Sequence, residues 1–271
     1  MFANAANLPA YRSQIANTMT AGPAPSEAAL RVLTERPGVV DYCADDVALE
    51  GYADGDTVGD WVARRGGLTA SATGTPTYTA PDSDLGVPSV AYGASSAGHE
   101  TPATIDWSAY DEATILGVHY TESVSGVSRG MSLAAGTSDI ASDGGVGTYR
   151  VNGNITGLHR AAGEAFILER DATADPFLAV TVVTHDFNAA ASAEIEIFVN
   201  GIEEEGSTTG SSNAGAVWQS NLRARLGASN ATAGGDGLDG RLARFIALPY
   251  ALTAAQAVQA STLLQITARV D

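Results

Sequence analysis

The stretch from Ala193 to Val199 constrains this chain more than any other. Its residues alternate, with Glu194 and Glu196 on one side and Ile195, Ile197 and Val199 on the other. A period of two is the signature of a half-buried strand, because successive side chains leave a strand on opposite faces. The two glutamates are therefore expected on a solvated outer face. Asn200-Gly201 follows directly, the strongest short signal for a hairpin turn.

The same grammar recurs along the chain. Ala113 to Tyr120, Glu164 to Arg170 and Phe177 to Thr184 read as further strands, and Gly144-Gly145, Asn152-Gly153-Asn154 and Gly234-Gly235-Asp236-Gly237 read as the turns between them. Short strands punctuated by turns predict an all-β fold, a two-sheet antiparallel jelly-roll sandwich. Two segments break the pattern. Ser26 to Arg36 has an N-capping serine, Leu30 and Leu33 at helical spacing, and Pro37-Gly38 as a stop. It follows the linker-like Ala21-Gly22-Pro23-Ala24-Pro25. Near the other end, Thr253 caps a helix whose apolar stripe is expected to hold Ala257, Val258 and Leu264. The chain is thus divided into an N-terminal arm with a short helix, residues 1–38, and a sandwich, residues 39–271; the helix either docks onto a neighbouring subunit or packs on its own domain.

Charge narrows the partners. The chain carries 31 acidic residues against 14 basic ones, a net charge of -17, and every basic residue is arginine. Such a surface repels phosphate backbones and anionic bilayers, which argues against nucleic acid and membrane surfaces as partners. No apolar run reaches the ~18 residues of a membrane span. Cys43 is the lone cysteine, so no intrachain disulfide forms, and the acidic stretch around it suits a small buried residue better than a reactive thiol. The opening Met1-Phe2-Ala3-Asn4 has neither the basic nor the apolar part of a secretion signal, so synthesis in a cytoplasm without export is expected.

Two separated stretches carry a resemblance. One runs from Val199-Asn200-Gly201 through Leu226-Gly227 and Gly237-Leu238-Asp239-Gly240-Arg241-Leu242 to Phe245-Ile246 and Ala251-Leu252-Thr253-Ala254-Ala255-Gln256. The other runs from Asp41-Tyr42-Cys43-Ala44-Asp45-Asp46 through Asp54-Gly55-Asp56, Val58 and Trp61 to Gly86-Val87-Pro88-Ser89-Val90-Ala91-Tyr92-Gly93. In this order they resemble the concanavalin A-like (laminin G-like) superfamily, with Gln256 replacing the usual acidic residue and Tyr92 the usual phenylalanine. The residues themselves ask for the same architecture. Gly227 and Gly240 suit close crossings of backbones, and Trp61, Tyr92 and Phe245 suit the space between two sheets.

The chemistry that such a fold hosts is then sought residue by residue. The glucanases among its members place catalytic carboxylates along one strand, about 5 Å apart in retaining enzymes. Glu194-Ile195-Glu196 echoes this, but Val199, followed by Asn200, stands where a third carboxylate would be needed, so no catalytic residue is assigned and no enzyme is expected. His99, His119, His159 and His185 have no metal-ligand spacing, and no serine lies in a nucleophile elbow beside His185-Asp186. No cofactor is assigned. The loop pairs Asp171 with Asp175 and Asp236 with Asp239 are candidate calcium ligands, since hard cations collect loop carboxylates and carbonyls. For a sugar, Tyr110, Tyr149 and Trp218 are the candidate stacking aromatics.

A fold suited to exposure, no export signal and a docking arm together point to a virion structural protein of a tailed phage or phage-like particle: a fibre, spike or decoration subunit. It would form a homo-oligomer, engage other virion subunits through the arm and contact a host surface glycan. The alternative is a carbohydrate-binding or adhesion module of a bacterial surface protein; a glycoside hydrolase comes last.

Overall fold

Strand β17, Gly240–Leu248, is buried along its whole length, because it is sandwiched on both faces. Leu242, Phe245 and Ala247 point into one core, while Ala243, Ile246 and Leu248 point into another. A register shift between Leu242 and Arg244 allows residues three apart to share a face, as a β-bulge does.

The computed structural model describes residues 25–81, 85–93, 97–122, 127–136, 140, 144–151, 153–161, 167–171, 178–190, 193–210, 213–227 and 237–267. Three helices lie among them: α1 (Pro25–Thr34), α2 (Ala44–Leu49) and α3 (Ala254–Thr267). The strands in chain order are β1 (Val40–Cys43), β2 (Asp60–Val62), β3 (Thr69–Thr73), β4 (Thr77–Thr79), β5 (Ser89–Tyr92), β6 (Gly98–Glu100), β7 (Glu112–Thr121), β8 (Val127–Ala134) and β9 (Gly145–Val151). There follow β10 (Asn154–Arg160), β11 (Ile167–Asp171), β12 (Leu178–Asp186), β13 (Ile195–Val199), β14 (Ile202–Glu204), β15 (Gly206–Thr209), β16 (Arg223–Leu226) and β17.

They form two antiparallel sheets, as expected. The first runs β14-β13-β12-β7-β17-β5-β4, with β1 also pairing β17; the second runs β15-β11-β10-β9-β8-β16-β6-β3-β2. The core between them holds Trp61, Tyr92, Met131, Val146, Trp218 and Phe245. A side chain at Gly227, whose φ is +76°, would run into the Tyr92 ring, and one at Gly240 would collide with the Tyr120 carbonyl. At the β13–β14 hairpin Asn200 and Gly201 both take positive φ, 52° and 83°, the combination a type I′ turn requires. Asn200 also clasps β12: its Oδ1 accepts from the Val180 N–H at 2.8 Å and its own N–H donates to the Val180 carbonyl at 2.8 Å.

The outer face of the first sheet is covered by α1 and α3. Gln256 caps α3 together with Thr253, each backbone N–H donating to the other's side chain, the capping-box exchange that an acidic residue makes elsewhere. Its buried stripe is Ala257, Ala260 and Leu264, whereas Val258 stands 39% exposed, one position off the face expected for it.

The division at residues 38 and 39 does not separate α1 from the sandwich. Leu30 is 1% exposed within the same core as Ile246 and Leu264. Arg244 donates to both Glu27 carboxylate oxygens, at 2.6 and 3.0 Å, and Arg64 donates to Glu27 at 3.1 Å. Arg65 reaches the Thr34 carbonyl, and the Tyr250 hydroxyl reaches that of Leu33. Of the two places open to this helix, a neighbouring subunit or its own domain, it takes the second; residues 1–24 of the arm lie outside the described residues.

Candidate functional site

The strand arrangement makes the two ends of the sandwich chemically distinct. At the end where β7 and β9 finish, alternation points His119 and Thr121 of the first sheet, and Thr148 and Arg150 of the second, into the space between the sheets. A cavity of about 20 Å³ opens there, walled by these four with Gly130, Met131, Tyr149, Ile155 and Leu238.

Two of its buried polar groups, His119 and Thr121, come from β7. His119 is 7% exposed. Burial, aided by the neighbouring Arg150 charge, lowers its pKa to about 3, so the imidazole is neutral at physiological pH. The Thr121 hydroxyl is fully buried without a partner. A neutral imidazole and a hydroxyl each donate and accept, which suits a ligand whose groups do both. At the same end the Arg241 guanidinium stacks 4.4 Å from the Tyr120 ring centroid, and the Glu122 N–H donates to the Asp239 carbonyl at 2.8 Å.

The opposite end carries a buried polar chain. His159 of β10 and His185 of β12 meet with their Nδ1 atoms 3.2 Å apart, and His159 Nε2 lies 3.2 Å from Glu194 Oε2. Glu194 Oε1 accepts the Asn213 N–H at 2.8 Å. Phe187 and Trp218 pack around the pair. The expectation that Glu194 sits beside Glu196 on a solvated face is corrected: Glu194 is fully buried, because β13 starts at Ile195 and Glu194 precedes the alternation.

The sequence-derived aromatics fare unequally. Trp218 is 1% exposed, deep in the main core, with its indole N–H donating to the Glu112 carbonyl at 2.8 Å; it offers no face to a sugar. Tyr149 is 8% exposed, on β9 rather than a loop, but it does line the cavity. Tyr110 is half-buried against the main core at the Trp218 end. The structure therefore does not bring these three together. Of the calcium candidates, Asp171 ends β11, Asp239 lies beside the cavity wall at Leu238, and Asp175 and Asp236 fall outside the described residues. Among the described residues no group of three or more His, Cys, Asp or Glu side chains is arranged to hold a metal. His119 and Thr121 were missed as a pair because an inward-facing polar residue on a strand reads locally as a satisfied core residue. The thiol of Cys43 is buried and its pKa raised to about 12, in line with an inert packing residue.

No protein-family model matches the chain, and no curated protein matches it. Solved structures do. The binding domain of botulinum neurotoxin serotype G superposes with a TM-score of 0.54 at 12% identity, over 84% of this chain and 50% of that one. A Trypanosoma rangeli sialidase in complex with 2,3-difluorosialic acid gives 0.52 at 10% identity, over 84% of this chain and 33% of that one. Domain 4 of AbnA, an arabinanase from Geobacillus stearothermophilus, in complex with arabinotriose, gives 0.49 at 14% identity, over 82% and 97%. The chain spans about half of the neurotoxin domain and a third of the sialidase, and the likeness to these is one of fold.

Proposed function

We propose that the chain is a non-enzymatic carbohydrate-binding module, and that its site is the cavity between the sheets at the His119 end. The observation that carries this is the set of buried polar groups there, His119 among them, with the Thr121 hydroxyl lacking a partner. A buried polar group left unpaired costs roughly 1–3 kcal/mol, and a ligand hydroxyl that pairs with it recovers that cost. Hydroxyls both donate and accept, as these groups do. The sialidase of similar fold, crystallised with a sialic acid derivative, lends the reading further support.

The virion reading drew on a fold suited to exposure, the missing export signal and a docking arm, and the last of these loses weight. Residues 25–34 are engaged by their own sandwich, so the module reading takes precedence.

The test is a glycan array probed with the intact chain and with a His119→Phe, Thr121→Val double variant that retains the parental circular dichroism. Selective binding to a subset of glycans, lost in the variant, is the expected result. Silence on every glycan overturns the proposal.

A further inference from the structure

We infer that the site reads the terminus of a glycan: one exocyclic group of the end residue enters between the sheets, and the rest of the chain points away. The inference rests on the carbohydrate-binding reading and specifies its ligand class.

Three observations carry it. The outer face of the first sheet, where an extended chain could lie across strands, is occupied by α1 and α3, with Leu30, Ala257, Ala260 and Leu264 buried against it. The outer face of the second sheet is covered too over β8, β9, β10 and β16, though not at its β2–β3 edge. Ala134, Ile140, Tyr149 and Leu158 form a buried cluster there, and Ser132, Thr156 and Arg225 on that face are buried too. With both broad faces covered at these positions, a ligand meets Thr121 and His119 end-on. The cavity of about 20 Å³ then sets how much can enter. It matches one water-sized group, a hydroxyl or the tip of a hydroxymethyl, and excludes a sugar ring. The ring must rest outside, so the groups that enter belong to one residue. An internal residue has neighbours on both sides, which would have to lie against the rims of both sheets.

Isothermal titration of the intact chain tests this, using the methyl glycosides of glucose, galactose, N-acetylglucosamine and N-acetylneuraminic acid alongside matching di- to hexasaccharides. One methyl glycoside is expected to bind, with longer ligands gaining less than about threefold, and Thr121→Val is expected to weaken it about fivefold, the worth of one hydrogen bond. Methyl glycosides that stay silent while the longer oligosaccharides bind overturn the terminal reading and leave the carbohydrate reading standing. Binding that Thr121→Val leaves unchanged overturns the placement of the terminus in this cavity. Silence from every ligand overturns both readings.

Discussion

His159 and His185, from opposite sheets, meet Nδ1 to Nδ1 at 3.2 Å inside the sandwich, and the Glu194 carboxylate determines which of them holds the shared proton. A carboxylate only accepts, so His159 presents Nε2–H to it and is left with Nδ1 as an acceptor. His185 must then donate from Nδ1, which leaves its Nε2 buried with no partner. Glu194→Ala would strip acceptors from both the His159 ring and the Asn213 N–H. The expected loss is roughly 3 kcal/mol, read as a lower urea midpoint with the slope unchanged.

Acid should unfold this protein early. Burial lowers the pKa of His99 to about 4 and those of His119 and His159 to about 3, and drives His185 well down also. An unfolded histidine takes its proton near pH ~6.5, so below that pH the unfolded state binds more protons. Stability is therefore complete above about pH 6.5 and falls beneath it, by roughly 1.4 kcal/mol per pH unit for each histidine, until the folded values are reached. With four such residues the melting temperature should drop steeply between about pH 6 and about pH 4. A flat profile across that window would contradict the buried, neutral state of these rings.

Glu27 acts in the same direction at lower pH. Burial raises its pKa, but the bonds and charges of Arg244 and Arg64 outweigh that and hold it at about 2. Its contribution is present above the ordinary carboxylate value and disappears as pH falls toward 2. Arg244→Ala removes one of the two cations on each carboxylate, leaving Glu27 with Arg64 and the fully buried Asp41 with Arg65. The expected cost is about 1.5–3 kcal/mol, that of lost hydrogen bonds to charged groups whose other cation remains. Removing residues 1–38 should likewise lower the melting temperature, since the bed of Leu30 would be opened to water; a truncated chain as stable as the whole would show that α1 is an appendage after all.

What the sequence made legible is local. The Asn200-Gly201 turn, the strand ahead of it and the Thr253–Gln256 cap each depend on residues within a few positions. Glu194 was misread because alternation says where side chains point within a strand but not where the strand begins. The His159–Glu194 bond joins residues 35 apart, and the Arg244–Glu27 bonds join residues 217 apart. No periodicity reports such pairings. An aromatic beside a loop, such as Trp218, looks the same in sequence whether it faces a ligand or the core.

Trp218 separates those two roles by experiment. It packs on Phe187 with ring centroids 4.2 Å apart, edges toward His159 and His185, and donates its indole N–H to the Glu112 carbonyl. A stacking platform truncated to alanine would lose ligand affinity and leave the fold intact. A buried tryptophan truncated to alanine leaves a cavity and an unpaired carbonyl, costing about 3–5 kcal/mol. Trp218→Ala is therefore expected to lower the urea midpoint sharply. Trp218→Phe, which keeps the ring and loses the N–H, should recover much of that loss, while the affinity of the folded fraction for any array-positive glycan stays at the parental value. An alanine variant with parental stability and no binding would move the ligand site to this end of the sandwich.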